Sequence, residues 1–174
     1  MSPSKTTLIL FLLLAIPFGN GCGLFKKPTE TDTKPTTKTD AYSKAYSPQV
    51  IHKVVQSARL FIGTPYQYGG TTSKGLDCSG LINLAFNSAG LKLPRSSYDI
   101  ANVGRELKVK DVRKGDLLFF ITGSEKKISH VGIVTERKAN NMILFVHAPN
   151  NGVREDNLFT AYYQKTFVKA TRPF

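Results

Sequence analysis

The chain has 174 residues, 41% of them apolar, which is enough for one sizeable core and too few for two at about 100–200 residues per domain. Its 24 Lys and Arg against 12 Asp and Glu give a formal charge of +12. In an unexported protein that balance would raise nucleic acid as a partner, but the N-terminus reads as an export signal and no Lys/Arg run carries interleaved aromatics, so nucleic acid is set aside for anionic polymers or acidic lipid headgroups.

Lys5 precedes an apolar run over residues 8–16, which is followed by Gly19, Gly21 and Cys22. That order predicts a secretory signal over residues 1–21, because the run is shorter than the roughly 20 residues a spanning helix needs. Cys22 stands where a lipoprotein signal places its acceptor, so cleavage before it and acylation of its thiol would tether the mature chain to a membrane. Gly19 occupies the position where the usual lipobox has Leu. An ordinary secretory signal with an incidental Cys22 remains the alternative, and a Cys22–Cys78 disulfide is a third reading. Residues 22–47 then form a linker of Lys, Thr, Pro, Asp, Ser and Tyr that has almost nothing aliphatic to bury.

The folded part is expected over residues 48–174. Ser47-Pro48 is a favoured N-cap and first-turn pair, and Val50, Val54, Val55, Ala58 and Phe61 follow at helical spacing, which predicts a helix ending near Gly63. A loop over residues 64–70 leads to Asp77, the cap of a second apolar helix that Gly90 stops. After a short turn or helix over residues 96–103 the pattern becomes β, with strands expected over 117–121, 131–135, 142–146 and 167–170. Helices first and strands later indicate an α+β domain.

Cys78 falls in the first turn of the second helix. There, unpaired N–H groups and the positive dipole end are expected to favour the thiolate and to supply donors for an oxyanion. A thiol nucleophile needs a base, and the chain has three histidines. His52 lies on the first helix and reads as a surface residue, whereas His130 begins one strand and His147 ends the next. A hairpin symmetric about Lys138-Ala139 would set them directly opposite each other, within reach of a hydrogen bond; a turn centred on Asn140-Asn141 would make the pair diagonal. Two His and one Cys lack the ligand spacing of a zinc motif, so no metal is expected.

Five blocks occur in order: Gly63-Thr64-Pro65-Tyr66-Gln67-Tyr68-Gly69-Gly70, Leu76-Asp77-Cys78-Ser79-Gly80-Leu81, Gly115-Asp116-Leu117-Leu118-Phe119-Phe120, His130-Val131-Gly132-Ile133 and Val146-His147-Ala148. Together they resemble the NlpC-type cell-wall cysteine peptidases over nearly all of residues 48–174. The resemblance implies a papain-like α+β core in which the cysteine helix packs on an antiparallel sheet. It also implies hydrolysis of amide bonds in peptidoglycan stem peptides or cross-links, without a cofactor. By position, Cys78 is then the nucleophile, His130 the general base and acid, and His147 the residue that orients it. Tyr66, Asp77 and Ser79 match positions that line the substrate pocket, with a packing role open for Tyr66 and a capping role for Asp77. Arg95 is a candidate contact for a substrate carboxylate. The sequence departs from the family pattern at Tyr68, where a Trp is common, at Ile100, where a Gln often follows, and in a longer hairpin between the histidines. A monomer in the cell envelope is expected. The alternatives are a spent peptidase fold that binds the wall, or a thiol hydrolase acting on another amide or acyl substrate.

Overall fold

The structure, a computed structural model, describes residues 46–124, 126–139 and 142–174. The signal segment, Cys22 and nearly all of the linker lie outside the described residues. Helix α1 (Pro48–Arg59) starts as its sequence dictates: Ser47 Oγ accepts the Val50 N–H at 3.4 Å, and Ile51, Val54, Val55 and Ala58 form its buried stripe. It ends at Arg59, before Gly63. A small hairpin of β1 (Thr71–Thr72) and β2 (Gly75–Leu76) then leads into α2 (Cys78–Asn87). Asp77 caps α2, and beyond its end Gly90 takes a φ of +76°, a conformation that favours glycine. A single helical turn, α3 (Ser97–Ile100), completes the helical half.

The second half is one sheet. Its strands are β3 (Arg105–Leu107), β4 (Leu117–Phe120), β5 (His130–Arg137), β6 (Ile143–His147), β7 (Arg154–Asn157) and β8 (Phe167–Arg172), with α4 (Ala161–Thr166) between the last two. The spatial order is β3-β8-β4-β5-β6-β7, antiparallel at every pairing. Strand alternation divides the core into two layers. Leu117, Phe119, Val131, Ile133 and Val146 face α1 and α2, while Leu118, Phe120, Val134, Ile143 and Phe145 pack with Leu158 and Tyr163 on the other side. Leu81, Ile82 and Phe86 of α2 are fully buried against the first layer. Removal from water stabilises each by roughly 1.5–3 kcal/mol.

The hairpin register differs from the symmetric expectation. Gly132, not His130, lies opposite His147, and a bulge falls between Val134 and Glu136. The reason is that β5 continues to Arg137 and the turn closes with Lys138 N–H on Met142 O at 2.9 Å. The two histidines are therefore diagonal neighbours. Periodicity did not mark β1, β2, β3, β7 or α4, because the first three have only two or three residues each and, of β7 and α4, only Tyr163 is buried.

A buried ion pair joins the start of β4 to the end of β8. Arg172 donates Nε to Asp116 Oδ1 and Nη2 to Asp116 Oδ2, both at 2.8 Å, and Asp116 is fully buried. Tyr46 Oη donates to the neighbouring Gly115 carbonyl. Removing one partner strands a buried charge, so Arg172→Met is expected to destabilise the domain by about 3–5 kcal/mol in urea denaturation. The Asp116→Leu/Arg172→Met double variant is expected to lose less. Equal or greater loss in the double variant would contradict the pairing argument.

Candidate active site

Two of the sequence blocks pack directly on each other, and this contact sets the position of Cys78. Asp77 N–H donates to the Gly70 carbonyl at 3.2 Å, Leu76 N–H to Pro65 O at 3.0 Å and Gln67 N–H to Leu76 O at 3.1 Å. At the same place α2 comes so close that a Cβ on Gly80 would collide with the Gly70 carbonyl oxygen. Gly80 is a glycine because the two backbones touch there, while a Cβ on Gly70 would collide with the Gly75 carbonyl of the small hairpin. Gly63 and Val153 tie the other end of the loop to the turn before β7, with Gly63 N–H on Val153 O at 2.9 Å.

Asp77 does more than cap. Its Oδ1 accepts the Gly80 N–H at 2.6 Å, while Arg95 donates Nη1 to Oδ1 at 2.9 Å and Nη2 to Oδ2 at 2.6 Å. Arg95 Nη1 also reaches Ser79 Oγ at 2.7 Å. Burial alone would raise the Asp77 carboxyl, but the Arg95 fork and the Gly80 N–H outweigh it and hold the carboxyl below its ordinary value. Asn83 fixes the segment that delivers Arg95, donating to Pro94 O at 2.9 Å and to Ser79 O at 3.0 Å. Tyr66, Asp77, Ser79 and Arg95 thus meet in one place, but Arg95 is already paired with Asp77 and is not a bare cation.

Cys78 carries a free thiol, 8% exposed, at the junction of α2 and the sheet. Its Sγ lies 3.9 Å from the Ser129 carbonyl oxygen, and the Val131 N–H acts on the sulfur from the other side of His130. Burial is the largest influence and pushes the thiol up to about 11; the Asp77 charge adds to it, and the N–H groups of Val131, Ser79 and Cys78 oppose it. The N–H groups at the helix start do favour the thiolate, as expected, but the net shift is toward the thiol. The dipole is present, but desolvation of a nearly enclosed sulfur is larger.

His130 and His147 come from the opposite layer. By strand parity they share a face with Phe120 and Phe145, and the His147 ring lies 4.6 Å from that of Phe145, centre to centre. His130 Nε2 and His147 Nδ1 are 2.8 Å apart, so diagonal placement still allows the hydrogen bond. Gly132 makes room for it, since a Cβ there would strike the Phe145 ring. Burial pushes His130 down to about 3, with the neighbouring His147 adding to the effect. Burial also pushes His147 down to about 4, partly offset by Asp156. Both imidazoles are neutral at rest. His52 is exposed on α1, away from the site.

Sequence reasoning missed what lies behind His147. His147 Nε2 is 2.9 Å from Asp156 Oδ2, which also accepts Tyr163 Oη at 2.7 Å and Arg154 Nε at 2.8 Å. A usable signal was the turn Asn150-Asn151-Gly152, because folding back about Asn150-Asn151 sets His147 opposite Arg154 and Phe145 opposite Asp156, as observed. Two cavities flank the site. One of about 830 Å³ is lined by Cys78, Tyr66, Asp77, Ser79, Arg95 and Ile128. The other, of about 510 Å³, is lined by His130, His147, Asp156 and Arg154.

Residues 63–172 match the family model described as NlpC/P60 family. The chain is 40% identical over 112 residues to the probable endopeptidase NlpC of Escherichia coli K12, a match covering 63% of this chain and 70% of that protein. It is 38% identical over 112 residues to the murein DD-endopeptidase MepS/murein LD-carboxypeptidase of the same strain, covering 63% of this chain and 56% of the relative. Among solved structures, it resembles a Staphylococcus aureus protein described as similar to a lipoprotein of the NLP/P60 family. That match has a TM-score of 0.66 and 28% identity, covering 83% of this chain and 45% of the other.

The neutral resting site has a kinetic signature. With the thiol at about 11, alkylation of Cys78 by iodoacetamide in the free protein is expected to rise roughly tenfold per pH unit from about pH 6 to 9 without a plateau. A plateau across neutral pH would mean a preformed thiolate and would contradict the dominance of burial.

Proposed function

This chain belongs to the NlpC/P60 family, and on that premise we propose that it is a peptidoglycan endopeptidase in which Cys78 attacks an amide carbonyl of a stem peptide or cross-link. The observation that carries this reading is the lodging of the Cys78 sulfur against the backbone on both sides of His130, at the wall of the larger cavity. The name of the murein DD-endopeptidase relative supports the substrate class.

The thiol and both imidazoles start neutral, so the proton leaves sulfur for His130 Nδ1 as the S–C bond forms and the carbonyl electron pair moves to oxygen. The N–H groups of Cys78 and Ser79, at the open start of α2, hold that oxygen. Collapse breaks the C–N bond, and His130 gives its proton to the departing amine, leaving a thioester on Cys78. Water, losing a proton to His130, then adds to the thioester carbonyl; collapse breaks the C–S bond, and His130 returns the proton to sulfur as the carboxylic acid leaves. His147 holds the His130 ring in place throughout.

The pair of Asp77 and Arg95, with Ser79 and Tyr66, gives the cavity both a carboxylate and a guanidinium. That combination fits a peptide end bearing an amine and a carboxylate, and the volume of about 830 Å³ fits a short peptide. The bond cleaved is D-Glu–diaminopimelate or D-Ala–diaminopimelate, and muropeptide mass spectrometry separates the two. In this proposal Cys22 is acylated, residues 22–47 tether the monomeric peptidase domain, and the enzyme works in the cell envelope.

Variants test the roles by their order. Cys78→Ala and His130→Asn are each expected to lower muropeptide turnover at least about 1000-fold, because neither can replace the lost nucleophile or proton carrier. His147→Asn or His147→Gln is expected to lose on the order of 10- to 100-fold, and His147→Ala more. Turnover by Cys78→Ala, or a His130 variant more active than the His147 variants, would overturn the assignment.

A further inference from the structure

We propose that Asp156 is a positioning residue for this chemistry: it fixes the tautomers of His147 and, through it, of His130, so that His130 Nδ1 is left as the proton acceptor. The catalytic part of this inference rests on the roles proposed above for Cys78 and His130; the tautomer part rests on hydrogen-bond geometry between two neutral rings.

A carboxylate can only accept. Asp156 Oδ2 has three donors converging on it: Arg154 Nε at 2.8 Å, Tyr163 Oη at 2.7 Å and His147 Nε2 at 2.9 Å. Arg154 cannot give up its proton, and it also supports Tyr163, with Nη2 3.4 Å from Oη. Asp156 is thereby held as the anion. Tyr163 Oη also lies 3.2 Å from His147 Nε2, but it gives its one proton to the nearer Asp156 Oδ2, so the His147 proton sits on Nε2. A neutral imidazole has one N–H, so His147 Nδ1 is bare. It lies 2.8 Å from His130 Nε2, which must therefore be the donor. His130 is neutral as well, and its own lone pair is then confined to Nδ1.

Without Asp156, the Tyr163 hydroxyl 3.2 Å from His147 Nε2 can donate to that nitrogen as readily as accept from it, so the direction is no longer held. The opposite arrangement, with His147 Nδ1–H donating to His130 Nε2, keeps the same hydrogen bond but places the His130 proton on Nδ1. That ring cannot take a proton from the thiol at Nδ1. The carboxylate has a second effect when His130 becomes an imidazolium: its negative charge lies one ring away, across the fully buried His147. No proton passes to Asp156 in this scheme. His130 keeps the proton it receives until the amine departs.

The placement of Asp156 also permits a specific rescue. Its side chain is 24% exposed and lines the cavity of about 510 Å³ behind the histidines, so truncation leaves a site that a small carboxylate can enter from solvent.

The test uses the full chain labelled with nitrogen-15, and two-bond correlation spectra of the imidazoles at neutral pH. His52, exposed on α1, serves as the solvent-averaged reference. In the wild type both His130 and His147 are expected as the Nε2–H tautomer. A His130 ring protonated at Nδ1 would overturn the proposal without any variant. In Asp156→Ala the two rings are expected to become mixed or reversed, with kcat falling on the order of 100-fold and KM little changed. Asp156→Asn keeps an acceptor but no charge, so it is expected to preserve the tautomers and to fall between wild type and Asp156→Ala in kcat. Formate, but not chloride at equal ionic strength, is expected to return the Nε2–H tautomers and roughly tenfold of the lost rate to Asp156→Ala. Unchanged tautomers in Asp156→Ala, or a loss confined to KM, would sink the proposal. If the tautomers respond as expected but the wild type cleaves no muropeptide, the positioning stands and the proposed substrate falls.

Discussion

A helix can bring its N-terminus against a loop and a sheet edge only where side chains do not keep the backbones apart. At Gly80 there is none, and the approach is so close that a single methyl group would collide with the Gly70 carbonyl oxygen. Everything at the site follows from that contact. It aligns the first turn of α2, sets Asp77 where it can cap the helix and bind Arg95, and places the Cys78 sulfur against Ser129 and Val131. Gly132 has the corresponding role inside the sheet, where lack of a side chain lets the Phe145 and His147 side chains pack across β5.

Burial decides the electrostatics that this packing creates. The same enclosure that positions the sulfur also removes the water that would solvate a thiolate, and it acts on the two imidazoles in the opposite sense by disfavouring their charged forms. The thiol and the two hydrogen-bonded imidazoles are neutral at rest, and the charges flank them as two ion pairs, Asp77 with Arg95 and Asp156 with Arg154. In the proposed reaction, charge separation across sulfur and imidazole belongs to the chemical step, and the N–H groups of Val131, Ser79 and Cys78 already act on the sulfur.

The parts legible in the sequence were those written in local patterns. Ser47-Pro48 and Asp77 announced two helix starts by their capping chemistry, and both caps are made. The apolar runs of β4, β5 and β6 were long enough to stand out, and they carry both histidines. What escaped were features set by pairing across the chain. The turn that closes Lys138 on Met142 sets the register of the histidine hairpin, and the bulge between Val134 and Glu136 shifts it by one residue; no residue in that hairpin signals the bulge. Strand β7 reads Arg-Glu-Asp-Asn, a charged stretch without alternation. It becomes a strand because the Asn150-Asn151-Gly152 turn folds it against β6, and this pairing brings Asp156 and Arg154 to His147. Sequence reasoning placed Arg95 near the site but not its pairing with Asp77, which depends on Asn83 holding the Pro94 carbonyl.

The central claim is covalent: Cys78 carries the acyl half of the substrate between the two halves of the reaction. Purified protein mixed with muropeptides, quenched in acid within the first turnovers and analysed by intact mass and peptide mapping tests it directly. The account predicts a transient adduct on Cys78 whose mass equals the acyl fragment of the cleaved peptide and which disappears as the carboxylic acid is released. Cleavage that proceeds with no adduct at any quench time, or with the adduct on another residue, would contradict it.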